Sequence, residues 1–405
     1  MAWKIPSPDA VHWPAAPSWS GWWRALMLSC SAVVMAGCGI YFWLHDSRAL
    51  VYAFAGVVVL ILLFAGIAGW WMYRYGVLLE HADGTTQYNA MLEAQWQRWA
   101  QEGMVVSGVS TLFPEQVRTP QDNGEPVSTL APLRLPECPG STYLFTELLA
   151  PLRVALQIFI RNQSLTVCLP ESASEDDWQC FRSVWAALSL PLSAIQLSEM
   201  KPEPFSRQMT LWQQKDAVRT GWLIIRHNWT PGSEGTQGAV AWLLSHPDIR
   251  TGLRPCATLH RVFPTDNTLP DGDLRQFLQY QCVSNTMKGV WSDAVTQPHI
   301  SRLMVALSQQ HKAVAEQGEA TVIPPASPVQ QYLPHWLGEM KDGETWFAVT
   351  QAIQMAEHTR ETQVLALAKG NDKLKSTWQL GPKNPRDKEY DNQQEEYQKA
   401  LGAVL

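Results

Sequence analysis

Two uncharged runs near the amino end, joined by four polar residues, limit what this chain can fold into. Trp22-Trp23-Arg24 opens onto Ala25 to Leu44, a stretch without a charge. The tetrad His45-Asp46-Ser47-Arg48 follows, and Ala49 to Tyr73 is again uncharged. A helix of about twenty residues covers about 30 Å, the thickness of a bilayer's hydrocarbon core. In lipid the backbone must satisfy its own hydrogen bonds, so each run is expected to be a helix. Residues 21–74 therefore read as a transmembrane hairpin, with the lipid bilayer as its partner.

The tryptophans agree with that placement. Trp19, Trp22, Trp23, Trp43, Trp70 and Trp71 lie near the ends of the two runs, where indole rings settle at the lipid–water interface. Cleavage of the first run as a signal peptide is not expected. Its apolar stretch is too long, no A-x-A-like site follows, and a second run comes almost at once. Lys4, Arg24 and Arg74 flank the hairpin on one side against Arg48 in the loop. The positive-inside rule then places both termini in the cytoplasm of a bacterial inner-membrane, multi-pass protein.

Around the hairpin, residues 1–20 hold four prolines and read as an irregular lead-in, 75–381 as an α/β soluble domain, and 382–405 as a polar tail. A proline-rich loop at 119–140 lies inside the domain. A net charge of -6 argues against a nucleic-acid partner, which calls for a basic face. Cys30 and Cys38 fall in the first run. Cys138, Cys168, Cys180, Cys256 and Cys282 remain, with no C-x-x-C pair, so neither a disulfide framework nor a zinc site is expected.

Within the domain, Val77 to Glu80 reads as a short strand and His81 to Gly84 as a turn. Trp96 and Trp99 lie on a helix ending near Gly103, and Met104 to Val109 reads as a strand. Arg153 to Ile160 and Ser164 to Leu169 read as two apolar strands. Ser174 stands three before Asp177, the spacing of a capping box, ahead of a Trp178, Phe181, Val184, Trp185 and Leu188 stripe. Ala194 to Leu197 and Gly221 to Arg226 read as strands, and Ala239 to Leu244 as the start of a helix. Cys256 to Phe263 reads as one strand, His299 to Gln317 and Thr345 to His358 as helices, and Gln363 to Ala368 and Thr377 to Leu380 as strands. No repeat of fixed period stands out. Strands alternating with helices give an α/β body.

Chemistry is hard to place. Gly232, Gly235 and Gly238 follow a strand, but lack the G-x-G-x-x-G spacing and a Lys-Ser/Thr, and Glu234 would repel a phosphate. Ser107-Gly108-Val109-Ser110 lacks the closing glycine of a nucleophile elbow. His227, His246 and His260 read as structural, and Asp176-Asp177 as helix-start carboxylates. Asp271 and Asp273 flank Gly272 without the remaining ligands of a calcium loop. No catalytic, cofactor-binding or metal-ligating residue is assigned. Cys168 and Cys256 are the cysteines to watch if the chain is an enzyme after all.

The hairpin, Trp96-Gln97-Arg98-Trp99 leading to Met104-Val105-Val106-Ser107-Gly108-Val109, and Gly221-Trp222-Leu223-Ile224-Ile225 together resemble the type VI secretion adaptors that bring phospholipase effectors to the VgrG spike. Members of that family look like thiolase-fold relatives without catalysis, and Glu234 to Leu244 is similar to a ketosynthase strand-to-helix segment. The resemblance implies a thiolase-like, non-enzymatic body that binds an effector or another secretion component as its protein partner, without a cofactor. Two alternatives stand beside it: a membrane-associated immunity protein that neutralises a toxin, and an acyl- or lipid-processing enzyme at the bilayer surface.

Overall fold

The computed structural model describes residues 3–6, 8–45, 47–115, 117, 132–135, 140–170, 172–200, 205–213, 220–228, 235–266, 270–281, 287–293, 296, 300–309, 328–338, 345–368 and 374–381. Most of the 119–140 loop, the 382–405 tail, Glu234 and Gly232 lie outside them, as do Cys138 and Cys282. The chain divides into two compact units, residues 5–96 and residues 1–4 with 97–405.

The first unit is built on helices α1 (Trp19–Leu44) and α2 (Arg48–Gln101). Both are long and apolar enough to cross a membrane, and almost none of their apolar windows is buried within the chain. His45 ends α1 in the left-handed conformation, its N–H donating to Tyr41 O at 2.9 Å. The helices meet where side chains are smallest: Gly37 is buried, and a Cβ there would overlap that of Ala53. Trp22 packs edge-on against Phe64 at 6.1 Å and tilted against Trp71 at 5.9 Å. The expected strand Val77–Glu80 and turn His81–Gly84 are instead part of α2, which runs unbroken to Gln101. A lone Gly84 costs a helix only about 1 kcal/mol, and Thr85 and Thr86 turn their hydroxyls back to His81 O and Ala82 O inside it. Along the same helix Asp9 and Asn89 exchange two hydrogen bonds, of 3.2 and 2.8 Å.

The second unit is a mixed α/β body. Its strands are β1 (Gly103–Leu112), β2 (Ser164–Leu169), β3 (Ile195–Glu199), β4 (Thr220–Asn228), β5 (Gly238–Ser245), β6 (Ala257–His260), β7 (Phe263–Asp266), β8 (Met287–Ser292), β9 (Val329–Tyr332), β10 (Thr362–Ala368) and β11 (Leu374–Gly381). Its helices are α3 (Ser141–Leu149), α4 (Arg153–Asn162), α5 (Glu175–Ala187), α6 (Phe205–Trp212), α7 (Asp271–Tyr280), α8 (300–309), α9 (Leu333–Leu337) and α10 (Thr345–Thr359).

All eleven strands join one sheet, in the order β3-β2-β4-β5-β1-β6-β11-β10-β8-β9, with β7 paired to β11. That order reads the same from both ends. Numbered within its own half, each set of five runs third, second, fourth, fifth, first towards the middle. The orientations repeat too: β2 is parallel to β3 and β4, and β8 is parallel to β9 and β10. The β4–β5, β5–β1, β10–β11 and β11–β6 pairs are antiparallel. The halves meet through an antiparallel β1–β6 ladder, Gly103 opposite His260 and Val106 opposite Ala257. This internal duplication leaves no fixed-period repeat in the sequence, because only strand order and direction are shared.

Helices cover both sheet faces. Trp222 and Ile224 of β4 and Val240, Trp242 and Leu244 of β5 point into a cluster with α6, α9 and α10. Leu223, Ile225, Ala239, Ala241 and Leu243 point the other way, onto α3, α4 and α5. Phe277, Leu303, Val290 and Val364 form the matching cluster of the second half. Burial on both sides explains two departures from expectation. Ala239–Leu244, expected to begin a helix, is strand: every residue of β5 is buried, so no polar position marks its period of two. Arg153–Ile160, expected as strand, is α4: Leu152, Leu156 and Phe159 are buried at helical spacing while Val154 is 66% exposed. Helices α3 and α4 meet at 73° and are together apolar enough for a broken span, yet their apolar side chains fill the body's core.

The last turn of α2 belongs to this body. A helix end leaves four carbonyls without helical partners, and here most find one. Arg261 Nε donates to Trp99 O at 2.8 Å, Gln281 Nε2 to Ala100 O at 3.4 Å, and His260 Nδ1 meets Gln101 O. The Arg261 guanidinium also lies 4.6 Å over the Trp99 ring and pairs with Glu102 at 2.6 Å. Trp3 is edge-on to Trp99 and to Phe263, each at 5.0 Å, and its carbonyl accepts from Gln276 Nε2 at 2.9 Å.

Candidate functional site

The β1–β6 ladder and the end of α10 bring together a thiol, a carboxylate and a guanidinium. Cys256 stands one residue before β6, its N–H donating to Val106 O at 2.8 Å. The register that sets Val106 against Ala257 puts Cys256 opposite Ser107. At Ser107 the β1–β5 pairing slips by one residue, and its hydroxyl is buried with no partner in the structure. Bulges of this kind are common next to functional sites.

Helix α10 reaches the same place from the other end of the body. It is apolar nearly all round, Trp346 to Ile353 all being buried, and Glu357 is its one carboxylate. Glu357 lies in the last turn, where the macrodipole disfavours a negative charge. Its carboxylate lies near enough to the Cys256 thiol to raise that thiol's pKa. Arg360 follows in the left-handed conformation, φ 59°, its N–H donating to Ala356 O at 2.9 Å. Glycine usually takes that position, and an L side chain there costs about 1 kcal/mol. A carboxylate and an arginine are thus held beside a half-buried thiol against local preference.

Burial pushes the Cys256 thiol up to about 12, helped by the charge and hydrogen bond of Glu357 and opposed by Arg360. At neutral pH only about one molecule in 10⁵ would carry a thiolate. The thiol form is favoured at rest, so a nucleophilic step calls for removal of the proton as the bond forms, which a neighbouring carboxylate can do. Cys168 is also pushed up to about 12, by burial against a weaker pull from Arg226. It is buried in the core and reads as packing.

A second polar cluster lies at the carboxyl ends of β2 and β4. Asp177 completes the capping box of α5: Ser174 N donates to Oδ2 at 2.8 Å while Asp177 N donates to Ser174 Oγ at 3.2 Å. Ser141, first residue of α3, donates to Asp177 Oδ1 at 2.5 Å, so one carboxylate ties two helix starts together. Burial raises the affinity of Asp177 for its proton, but the Ser141 and Ser174 hydrogen bonds outweigh it, with a smaller pull from His227. The net direction is down. His227 is also lowered, by burial first and by Arg226, against Asp177. The arrangement is structural, and the sequence spacing had shown it.

A lowered Asp177 stabilises the fold in full above the ordinary carboxylate range near 3.9, and the contribution fades as pH falls through its lower folded value. Asp177→Asn is therefore expected to cost about 1 kcal/mol at pH 7, the usual worth of a cap, and less at pH 3. Urea midpoints of both proteins at the two pH values check this; an equal cost at both would remove the charge from the account.

The remaining candidates disperse. His246 is buried and lies 3.2 Å from Asp248 and 3.8 Å from Glu102, and His260 caps α2. Asp271 pairs with Arg302 and Asp273 accepts from Thr265 Oγ1 at 2.8 Å, so the two are α7 first-turn anchors rather than calcium ligands. Gly238 begins β5 and Gly235 has φ 100°, while residues 229–234, Gly232 among them, lie outside the described residues. Among the described residues no group of three or more His, Cys, Asp or Glu is placed to hold a metal. Sequence reasoning named Cys256 but missed Glu357 and Arg360. The one available signal was an acid in the last turn of an otherwise apolar helix.

No family model and no curated protein matches the chain. Solved structures do. A cerulenin-bound variant of OleA from Xanthomonas campestris is similar over 71% of this chain and 98% of its own, at 9% identity and a TM-score of 0.42. The 3-oxoacyl-[acyl-carrier-protein] synthase III of Aquifex aeolicus is similar over 69% and 100%, at 14% identity and a TM-score of 0.38. The second is by its name a synthase acting on an acyl-carrier protein. The expectations of a non-enzymatic adaptor and of no enzyme are corrected accordingly. Those expectations rest on the absence of a linear catalytic motif and on the adaptor resemblance. The fold instead pairs Cys256 with a carboxylate from a distant helix, which no linear motif displays.

Proposed function

We propose that this chain is a membrane-anchored acyl-processing enzyme with a thiolase-like body, Cys256 its nucleophile and Glu357 its base. The observation that carries the reading is the Glu357 carboxylate set against the half-buried Cys256 thiol, close enough to raise its pKa, with Arg360 near enough to oppose it. The substrate class is an acyl thioester. Cys256 Sγ bonds to the acyl carbon as its proton passes to Glu357. The substrate's sulfur leaves with its bonding electrons and takes that proton, so a free thiol departs and the acyl group stays on Cys256. Arg360 balances the carboxylate and the charge that gathers on the acyl oxygen. The internal duplication of the sheet supports the thiolase-like reading of the body.

Both hairpin helices are proposed to span the membrane, with both termini on one face. Trp3 supports this, since it packs in the α/β body that follows the second span. Lys4, Arg24 and Arg74 against Arg48 make that face the cytoplasmic one.

The test is to incubate the full chain, in detergent, with a long-chain acyl thioester, following thiol release and the intact mass. One acyl adduct is expected, mapped to Cys256 and lost in Cys256→Ala. Glu357→Gln is expected to slow its formation about 100-fold, a usual worth of general-base catalysis. An adduct on another cysteine, or none from a folded sample, overturns the assignment.

A further inference from the structure

Helix α10 carries buried polar groups besides Glu357. Gln351 has no exposed surface, and neither its amide oxygen nor its amide nitrogen finds a hydrogen-bond partner among the described residues. It is the one described side chain with two polar atoms buried and unpartnered. One turn on, Gln354 Nε2 donates to Thr111 Oγ1 at 3.4 Å, while its Oε1 is buried and unpartnered as well. A turn further stands Glu357, set against the Cys256 thiol. Ser107, opposite Cys256 in the ladder, adds an unpartnered hydroxyl. Residues three apart on a helix are neighbours, about 5–6 Å between Cβ atoms. Gln351, Gln354 and Glu357 therefore form a polar line along a helix whose fully buried side chains are otherwise apolar, Thr350 apart. A buried amide without partners gives up its hydrogen bonds to water and gains none in return. Ordered water resolves this in folded proteins, typically making about three hydrogen bonds to such groups. The two glutamines offer two acceptors and a donor, with the carboxylate at the end of the line.

We propose that Gln351 and Gln354 hold water beside Glu357, and that this water takes the acyl group from Cys256, so that the chain hydrolyses its thioester substrate. The inference deepens the reading of Cys256 as nucleophile and rests on it. After the first half-reaction Glu357 has given its proton to the departing sulfur and is a carboxylate again. The water oxygen then bonds to the acyl carbon as one of its protons passes to Glu357. The carbon–sulfur bond breaks, Cys256 Sγ leaves with the bonding electrons and takes that proton, and a carboxylic acid is released. Gln351 and Gln354 are positioning residues, since they act through the water.

The experiment incubates the full chain, in detergent, with the dodecanoyl thioester of N-acetylcysteamine under single turnover, and follows the Cys256 adduct by intact mass. In the native chain the adduct is expected to form and then clear. In water labelled with heavy oxygen, the released dodecanoic acid should carry one labelled atom. Gln351→Met keeps most of the volume and removes both amide atoms. It should form the adduct at the native rate and clear it about 100-fold more slowly, the usual cost of a misplaced reactant. A merely structural glutamine would change both steps or neither. Should Gln351→Met not fold, Gln354→Met carries the same comparison. No adduct on Cys256 overturns the site itself and this inference with it. An adduct that persists in the native chain, or that clears as fast in the glutamine variants, removes the inference alone.

Discussion

Trp242→Ala is expected to lower the stability of the α/β body by about 3–5 kcal/mol, the usual cost of emptying a buried aromatic site. Trp242 has no exposed surface and stands where the central strands meet the buried helix. Its ring lies 4.8 Å from Trp346 and 5.8 Å from Phe205, and these two are 4.4 Å apart. Its Nε1 donates to Thr350 Oγ1 at 2.8 Å, while that hydroxyl donates to Trp346 O at 2.7 Å. Alanine would remove the rings' common neighbour and a donor at once. The cavity would sit under α10, so Glu357 should loosen against Cys256 as well. Urea unfolding followed by near-ultraviolet circular dichroism measures the loss. Trp242→Phe, which keeps most of the volume but not the donor, should cost less than half as much. A loss under 1 kcal/mol for the alanine variant would mean that the three rings do not organise this layer.

Glu357→Gln is expected to move two measurements in opposite directions. Its charge and hydrogen bond help hold the Cys256 thiol at about 12. Removing the charge lowers that value, and each unit of lowering multiplies the thiolate about tenfold at a given pH. Alkylation of Cys256 by iodoacetamide at pH 9, resolved by peptide mass from the other cysteines, should therefore become several-fold faster. Acyl transfer at pH 7 should become slower, because the proton acceptor is gone. Arg360→Gln should slow alkylation, since its charge favours the thiolate. A carboxylate that merely packs beside the cysteine would speed alkylation without slowing transfer. That outcome would keep the electrostatics and remove the catalytic role.

The sequence showed best what depends on near neighbours. The two apolar runs, the Ser174–Asp177 capping box and helix α10 each announce themselves within a few residues. The strand β5 was misread because both its faces are buried, which erases alternation, and α4 because Leu156 to Ile160 looks continuous when Val154 is not known to be exposed. Cys256 to Phe263 was read as one strand and is two, β6 and β7, broken where Arg261 turns aside to cap α2. The Cys256 site was illegible for another reason. Its thiol and carboxylate come from segments that meet only once β1 and β6 have paired and α10 lies across them. The mirrored strand order is illegible in the same way, being a property of pairing rather than of any residue.

Trp3 carries a consequence for how the chain is made. Its carbonyl is held by Gln276, 273 positions later, and its ring by Phe263. Chains grow from the amino end, so this tryptophan leaves the ribosome long before its partners exist. Under the proposal that both hairpin helices span the membrane, the first few residues would have to wait throughout that interval on the side where the body will later assemble. A tail carried across by mistake would be unable to return, and the third cluster would close without it. Were the hairpin inserted as proposed, the order of synthesis would make that insertion a step that the finished body records.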